Sequence, residues 1–298
     1  MLGFLRKTLC TALACLFLLA SQGPVCGKTP GMVQFYAMGK VQKGIELAAF
    51  AHELVVMGRD GWIHSVDPRK SSSRLNRLDE SYQPASTVEM RNQLRREFGP
   101  RYEVVATKNF LVVQPEGRGD RWPKLFESSH RSFLSYMKRK GVRIREGRFP
   151  MVAIVFPDKT SMYREFRRLK IDVGRVAGLY SGESNRVMTH DGGHSAFIAQ
   201  TVRHETAHQS AFNSGVHSRV NDMPRWITEG VGQMFEPEAM SRSHSGNVRD
   251  RVNLESMAFI QHKYTDRHDT NLAKAVMQLV SDGTMFEKSS RIEEAYSV

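Results

Sequence analysis

His204-Glu205-Thr206-Ala207-His208 sets two imidazoles four positions apart with a carboxylate beside the first. On a helix, positions i and i+4 share one face about one turn apart, so both rings can reach a single metal ion. The chemistry this spacing serves is metal-assisted hydrolysis, with Glu205 placed to move a proton. The motif is short, and 11 histidines among 298 residues let chance produce it, so a second feature is required. It comes downstream, where Met223 to Phe235 reads as another helix carrying Glu229. His204, His208 and Glu229 together make a donor set used for catalytic zinc, with one position left open for water. Zinc brings the pKa of its water to about 7, and a positioned acid/base typically contributes about 10² to 10⁴ in rate. Glu205 can take that proton and return it to a leaving amine. The plain alternative for Glu229 is a surface carboxylate, which its register with Trp226, Gly230 and Gly232 argues against.

The elements that must hold these groups follow from local signals. The metal-bearing helix is expected to start near Ser195 as N-cap and to close at Asn213-Ser214-Gly215, where glycine can take the left-handed position. Asp222 is the expected N-cap of the next helix, with Pro224 in its first turn and Pro237 bounding its end. Gly230 and Gly232 lie inside that helix at about 1 kcal/mol each relative to alanine, a cost explained if the metal-bearing helix approaches closely. Trp226, Ile227, Val231, Met234 and Phe235 form its core face. Upstream, Gly178 to His190 reads as two strands around a glycine-containing turn. Such a pair is either a plain hairpin or a sheet edge that can hold an extended peptide beside a metal. His190 and His194 are less suited to be ligands than the HExxH pair.

Elsewhere the chain is less specific. A hydrophobic content of 40% suffices for a packed core and excludes a wholly disordered protein. The net charge of +12 falls by two when residues 1–27, whose only charges are Arg6 and Lys7, are set aside. Such a basic surface is first a solvated face without a dedicated partner; its alternatives are nucleic acid, an anionic envelope surface or acidic proteins, and no nucleic-acid motif accompanies the charge. Arg6-Lys7, the apolar run Leu9 to Ala20 and the small residues after it match an export signal over 1–27, with an uncleaved anchor as the alternative. All three cysteines fall within that segment, so the mature chain would use neither disulfides nor thiolate ligands. Residues 28–84 read as a small β-rich module with a polar linker at 69–84. Alternation over Val41 to Leu47 and the Asp60-Gly61 turn between His52–Met57 and Trp62–Val66 signal strands and a hairpin. His52 and His64 are expected to be ordinary strand residues. Ser86 and Glu89 form a capping box, Tyr102–Ala106 and Phe110–Val113 a hairpin, 121–140 a helix, Phe149–Phe156 a buried strand, and Asp158 the cap of a helix to Leu169.

His204-Glu205-x-x-His208, followed by Trp226-x-x-Glu229-Gly230, resembles the gluzincin (peptidase MA-like) zinc metallopeptidases. From about residue 101 onward the chain is similar to uncharacterised bacterial secreted domains of that group. The resemblance implies an α+β fold: a zincin-like peptidase domain, with an antiparallel-edged sheet plus active-site helices, over 85–298, preceded by the small β module. It implies that His204, His208 and Glu229 bind one Zn²⁺, that Glu205 is the general base, and that a peptide or protein is the substrate. Gluzincins commonly place a Tyr or His on a later helix as the oxyanion donor. Tyr296 is the candidate here, with His262, Tyr264 and His244 as competitors. The chain ends at Val298 without a helix-stop signal, the expectation for a truncated form of a longer chain. The leading expectation is an exported zinc peptidase, and the rival is a catalytically silent zincin scaffold that binds peptide or envelope.

Overall fold

Alternating apolar and polar residues after Gly31 produce an antiparallel sheet of five short strands: β1 (Gly31–Ala37), β2 (Lys40–Ala49), β3 (Leu54–Gly58), β4 (Ile63–Val66) and β5 (Asn76–Ser81), in the order β4-β3-β2-β1-β5. The computed structural model describes residues 31–67, 69, 75–145, 147–172, 174, 176–241, 247–265, 270–288 and 290–298. The export signal and the cysteines lie outside the described residues, as does His244. Among the described residues no helix is long and apolar enough to cross a membrane. Asp60-Gly61 turns β3 into β4 as expected, with Gly61 at φ +85. His64 lies buried on β4, whereas His52 falls in the bend between β2 and β3. Val33, Phe35, Val56 and Val66 form the sheet's own core. The reading of 69–84 as a linker is corrected, because Asn76–Ser81 pairs with β1 as an edge strand.

A second five-stranded sheet carries the candidate site. After α1 (Thr87–Phe98) come β6 (Tyr102–Ala106), β7 (Phe110–Pro115), α2 (Arg121–Arg139), β8 (Met151–Phe156), α3 (Lys159–Arg168), β9 (Gly178–Ser181) and β10 (Arg186–His190). The capping box of α1 is closed from both sides, Ser86 N–H donating to Glu89 Oε2 at 2.7 Å and Glu89 N–H to Ser86 Oγ at 3.2 Å. The order is β6-β7-β8-β10-β9, with parallel pairs at the centre and antiparallel pairs at both edges. Met-Val-Ala-Ile-Val-Phe of β8 is buried throughout, which is why this strand is an unbroken apolar run. Its residues alternate between two core layers. Val152, Ile154 and Phe156 meet Met90, Leu94, Met162 and Phe166 from α1 and α3, while Met151, Ala153 and Val155 meet Trp122 and Phe126 of α2. The second layer also takes Ile198 and Val202 from α4 (Ser195–Ser214). The remaining helices are α5 (Arg225–Phe235), α6 (Leu254–Lys263), α7 (Thr270–Ser281) and α8 (Ile292–Ser297). The described residues are therefore a mixed α+β arrangement of two sheets and eight α-helices.

α2 and α4 are joined by a buried polar contact with a pH consequence. His130 Nδ1 lies 2.8 Å from Ser210 Oγ, and burial, partly opposed by Glu127, pushes the His130 pKa down from 6.5 to about 4. The unfolded chain therefore binds the proton more readily than the folded one. This contribution to stability is complete above about pH 6.5 and is lost as pH falls toward 4, an effect on the order of 3 kcal/mol at most. In His130→Gln, urea midpoints measured across that interval are expected to fall less steeply with acidification than in the wild type. Equal slopes would remove His130 as the cause.

Candidate metal centre

Helix α4 delivers the motif as its spacing predicts, although its start differs slightly. His194 is the N-cap, without a side-chain capping bond, and Ser195 is the first helical residue. Gly215 ends the helix in the left-handed conformation at φ +77. Val202, Ala207 and Thr206, whose hydroxyl donates to the Val202 carbonyl, bury the inner side of α4 and fix the direction of its histidines. Helix α5 packs against α4, but Asp222 does not cap it: the chain enters through Pro224 in extended geometry, and the helix begins at Arg225. The two glycines divide. A Cβ at Gly232 would fall 2.5 Å from His204 Cε1 and 2.6 Å from its Nε2, whereas a Cβ at Gly230 would meet nothing within 4 Å. Close approach therefore explains Gly232 and not Gly230.

The packing brings the three sequence-predicted ligands together. His204 Nε2 and His208 Nε2 are 2.9 Å apart, and Glu229 Oε2 lies 3.4 Å from the first and 3.7 Å from the second. Each residue offers one donor atom, and all three atoms lie within 4.8 Å of one another. Both histidines are buried and Glu229 is half-buried. Burial disfavours charge on His204, yet the carboxylates of Glu229 and Glu236 outweigh it and raise its pKa to about 10. Burial likewise works against the Glu229 carboxylate, and contacts with His204 and His208 outweigh it, holding the carboxyl well below its usual range. The centre thus favours a compensating positive charge between its donors. Two borderline imidazole nitrogens and one harder carboxylate oxygen make a donor set that zinc accepts, so the residues present fit that ion.

Glu236, which motif reasoning missed, completes the surroundings of His204. Its Oε1 lies 2.8 Å from His204 Nδ1, while its Oε2 accepts from Gln200 Nε2 at 2.7 Å and Asn253 Nδ2 at 2.8 Å. Arg203 Nε donates to its backbone carbonyl. A carboxylate on Nδ1 selects the tautomer that leaves Nε2 to face a metal, and such partners typically set metal affinity by about 10- to 100-fold. The available signal was the seven-residue interval from Glu229, two helical turns along one face. Glu236→Ala is expected to weaken zinc binding by about that factor in a chelator competition, with the fold retained. Wild-type affinity would show that Glu236 only caps the helix.

Glu205 is half-buried, and its Oε2 accepts the backbone N–H of Tyr180 at 2.8 Å. Tyr180 belongs to β9, the edge strand of the sheet, so the hairpin expected from Gly178 to His190 does form a sheet edge. Gly178 lets that edge approach α4: a Cβ there would lie 2.7 Å from Thr201 Cγ2. Tyr296 on α8 stands over the site, its ring centroid 6.4 Å from that of His204 and its hydroxyl facing Glu229 and Arg225. Burial first, and the Glu229 charge second, push the Tyr296 hydroxyl well above its usual pKa, so it is a neutral donor at physiological pH. Of its competitors, Tyr264 is engaged with Glu294 and His262 is exposed on α6. His190 and His194 fall outside the donor cluster among the described residues.

Residues 198–298 match the family described as "Protein of unknown function (DUF1570)". The match begins within α4 and contains all three donors, Glu205, Glu236 and Tyr296, but not the sheets. No curated protein matches the chain.

Proposed function

We propose that this chain is an exported zinc-dependent peptidase of gluzincin type, built on a zincin-like domain. The observation that carries the reading is the convergence of His204 Nε2, His208 Nε2 and Glu229 Oε2 beside a glutamate tied to the edge of a sheet. His204, His208 and Glu229 would hold one zinc ion. Zinc, when bound, supplies Lewis-acid charge that acidifies water and polarises a carbonyl. Glu205 does the proton work: the Tyr180 N–H orients Oε2, and Oε1 has no hydrogen bond among the described residues, so the carboxylate can accept a proton from water and pass it to the leaving amine. Tyr296, neutral and facing the donors, is placed to donate a hydrogen bond to the oxygen on which negative charge develops. β9 offers backbone groups along which an extended peptide can lie, which favours a peptide or protein substrate.

The test is metal analysis joined to unbiased cleavage. Purified protein is expected to carry about one zinc per chain and to cleave members of a diverse peptide library followed by mass spectrometry. Protein that takes up no zinc would discard the metal reading. One bound zinc with no cleaved peptide would leave a silent zincin scaffold that binds rather than cuts.

A further inference from the structure

The five-stranded N-terminal sheet lies outside the family match, and none of its residues reaches the donor cluster. Its β3–β4 turn nonetheless touches the hairpin that holds Glu205. Ile63 N–H donates to the carbonyl of Glu183 at 2.8 Å, within the β9–β10 turn. Arg219 Nη2 donates to the carbonyl of Gly61 at 2.8 Å and to that of Gly182 at 2.6 Å, so one guanidinium spans both turns. Arg219 itself sits in the loop between α4 and α5, the two helices that bring the metal donors. It makes no ion pair among the described residues, and its Nε is buried without a partner. Backbone carbonyls of two separate segments therefore take the place of a carboxylate, an arrangement that specifies position rather than charge neutralisation.

The contact surface is closely fitted. A Cβ on Gly61 would lie 2.4 Å from the Phe149 ring and 3.1 Å from Asn185 Nδ2. Asn185, at φ +58 in the β9–β10 turn, accepts the Tyr180 hydroxyl at 3.0 Å and Asn213 Nδ2 at 2.7 Å. Gln209 Nε2 reaches the Asn185 carbonyl at 2.7 Å. The hairpin is thus held to α4 on its inner side by Asn185 and to the N-terminal sheet on its outer side by Arg219 and Ile63. β9 has only four residues and one strand neighbour, so beyond its packing on α4 these turn contacts are what hold it.

We propose that the N-terminal sheet is a brace for the β9–β10 hairpin, with Arg219 as the positioning residue that fastens the Gly61 and Gly182 turns to the loop between the metal-bearing helices. Its catalytic consequence rests on the reading of Glu205 as general base, whereas the fastening itself does not. Hydrogen exchange of the full zinc-loaded chain separates the two. In Arg219→Ala and in Gly61→Ala, which keeps the Arg219 side chain and the donors but drives the Gly61 turn against Phe149 and Asn185, the β9 amides including Tyr180 are expected to exchange at least about 10-fold faster. Amides of β7 and β8 and the zinc content should stay as in the wild type. In the same variants kcat should fall with zinc retained. If the wild type cleaves nothing, the peptidase reading fails and the exchange measurement still decides the brace. Wild-type protection of β9 in both variants overturns it. If Arg219→Ala loosens β7 and β8 as well, Gly61→Ala decides, and unchanged β9 exchange there overturns the proposal.

Discussion

Glu205→Gln is expected to leave zinc bound at one per chain and to lower kcat/KM by about 10² to 10⁴, which at 1.36 kcal/mol per decade is roughly 3 to 5 kcal/mol of transition-state stabilisation. The substitution is nearly isosteric, and the amide oxygen can still accept the Tyr180 N–H that now reaches Oε2 at 2.8 Å. The edge strand and the donor cluster should therefore keep their places, and the loss reports the missing proton acceptor alone. Glu205 is not one of the three converging donors, so metal analysis should be indifferent to the change. The check is a paired measurement of zinc content and steady-state kinetics on the best peptide found by library profiling. Retained activity would move the base elsewhere, and lost zinc would make Glu205 a ligand.

Where signals are local, sequence and structure agree. HExxH spacing needs only a helix to align its rings, and α4 supplies one; Ser86 with Glu89, and Asp60 with Gly61, act within four residues of chain. What escaped depends on partners far away. Asn76–Ser81 is exposed along most of its length, so β5 shows no alternation of buried residues, and only pairing with β1 makes it a strand. Glu236 looks like a surface acid at a helix end until the packing of α4 against α5 brings it to His204 Nδ1. Asp222 has the right residue type for a cap, but Pro224 sets the backbone that enters α5, so the helix begins beyond the reach of Asp222. The proposed role of Arg219 involves carbonyls, which have no sequence signature at all.

Gly232→Ala is expected to disrupt the metal centre, whereas Gly230→Ala, two residues earlier on the same helix, leaves it intact. The new methyl at 232 would fall 2.5, 2.6 and 2.9 Å from Cε1, Nε2 and Nδ1 of His204, far inside van der Waals contact. The ring cannot yield freely, because Nδ1 is bound to Glu236 at 2.8 Å and its edge meets the His208 ring at a centroid distance of 4.6 Å. Either the imidazole leaves the donor triangle or α5 retreats from α4 and takes Glu229 with it. Each route removes a ligand from its place, so zinc affinity should fall by at least the roughly 10- to 100-fold typical of losing a supporting partner. Gly230 is exposed with open space at its Cβ position, and alanine there gains helix propensity of about 1 kcal/mol. Chelator competition with thermal melts on both variants makes the comparison. Wild-type zinc affinity in Gly232→Ala would mean that α4 and α5 can separate without cost to the site, and the donor cluster would then not depend on the close approach of these helices.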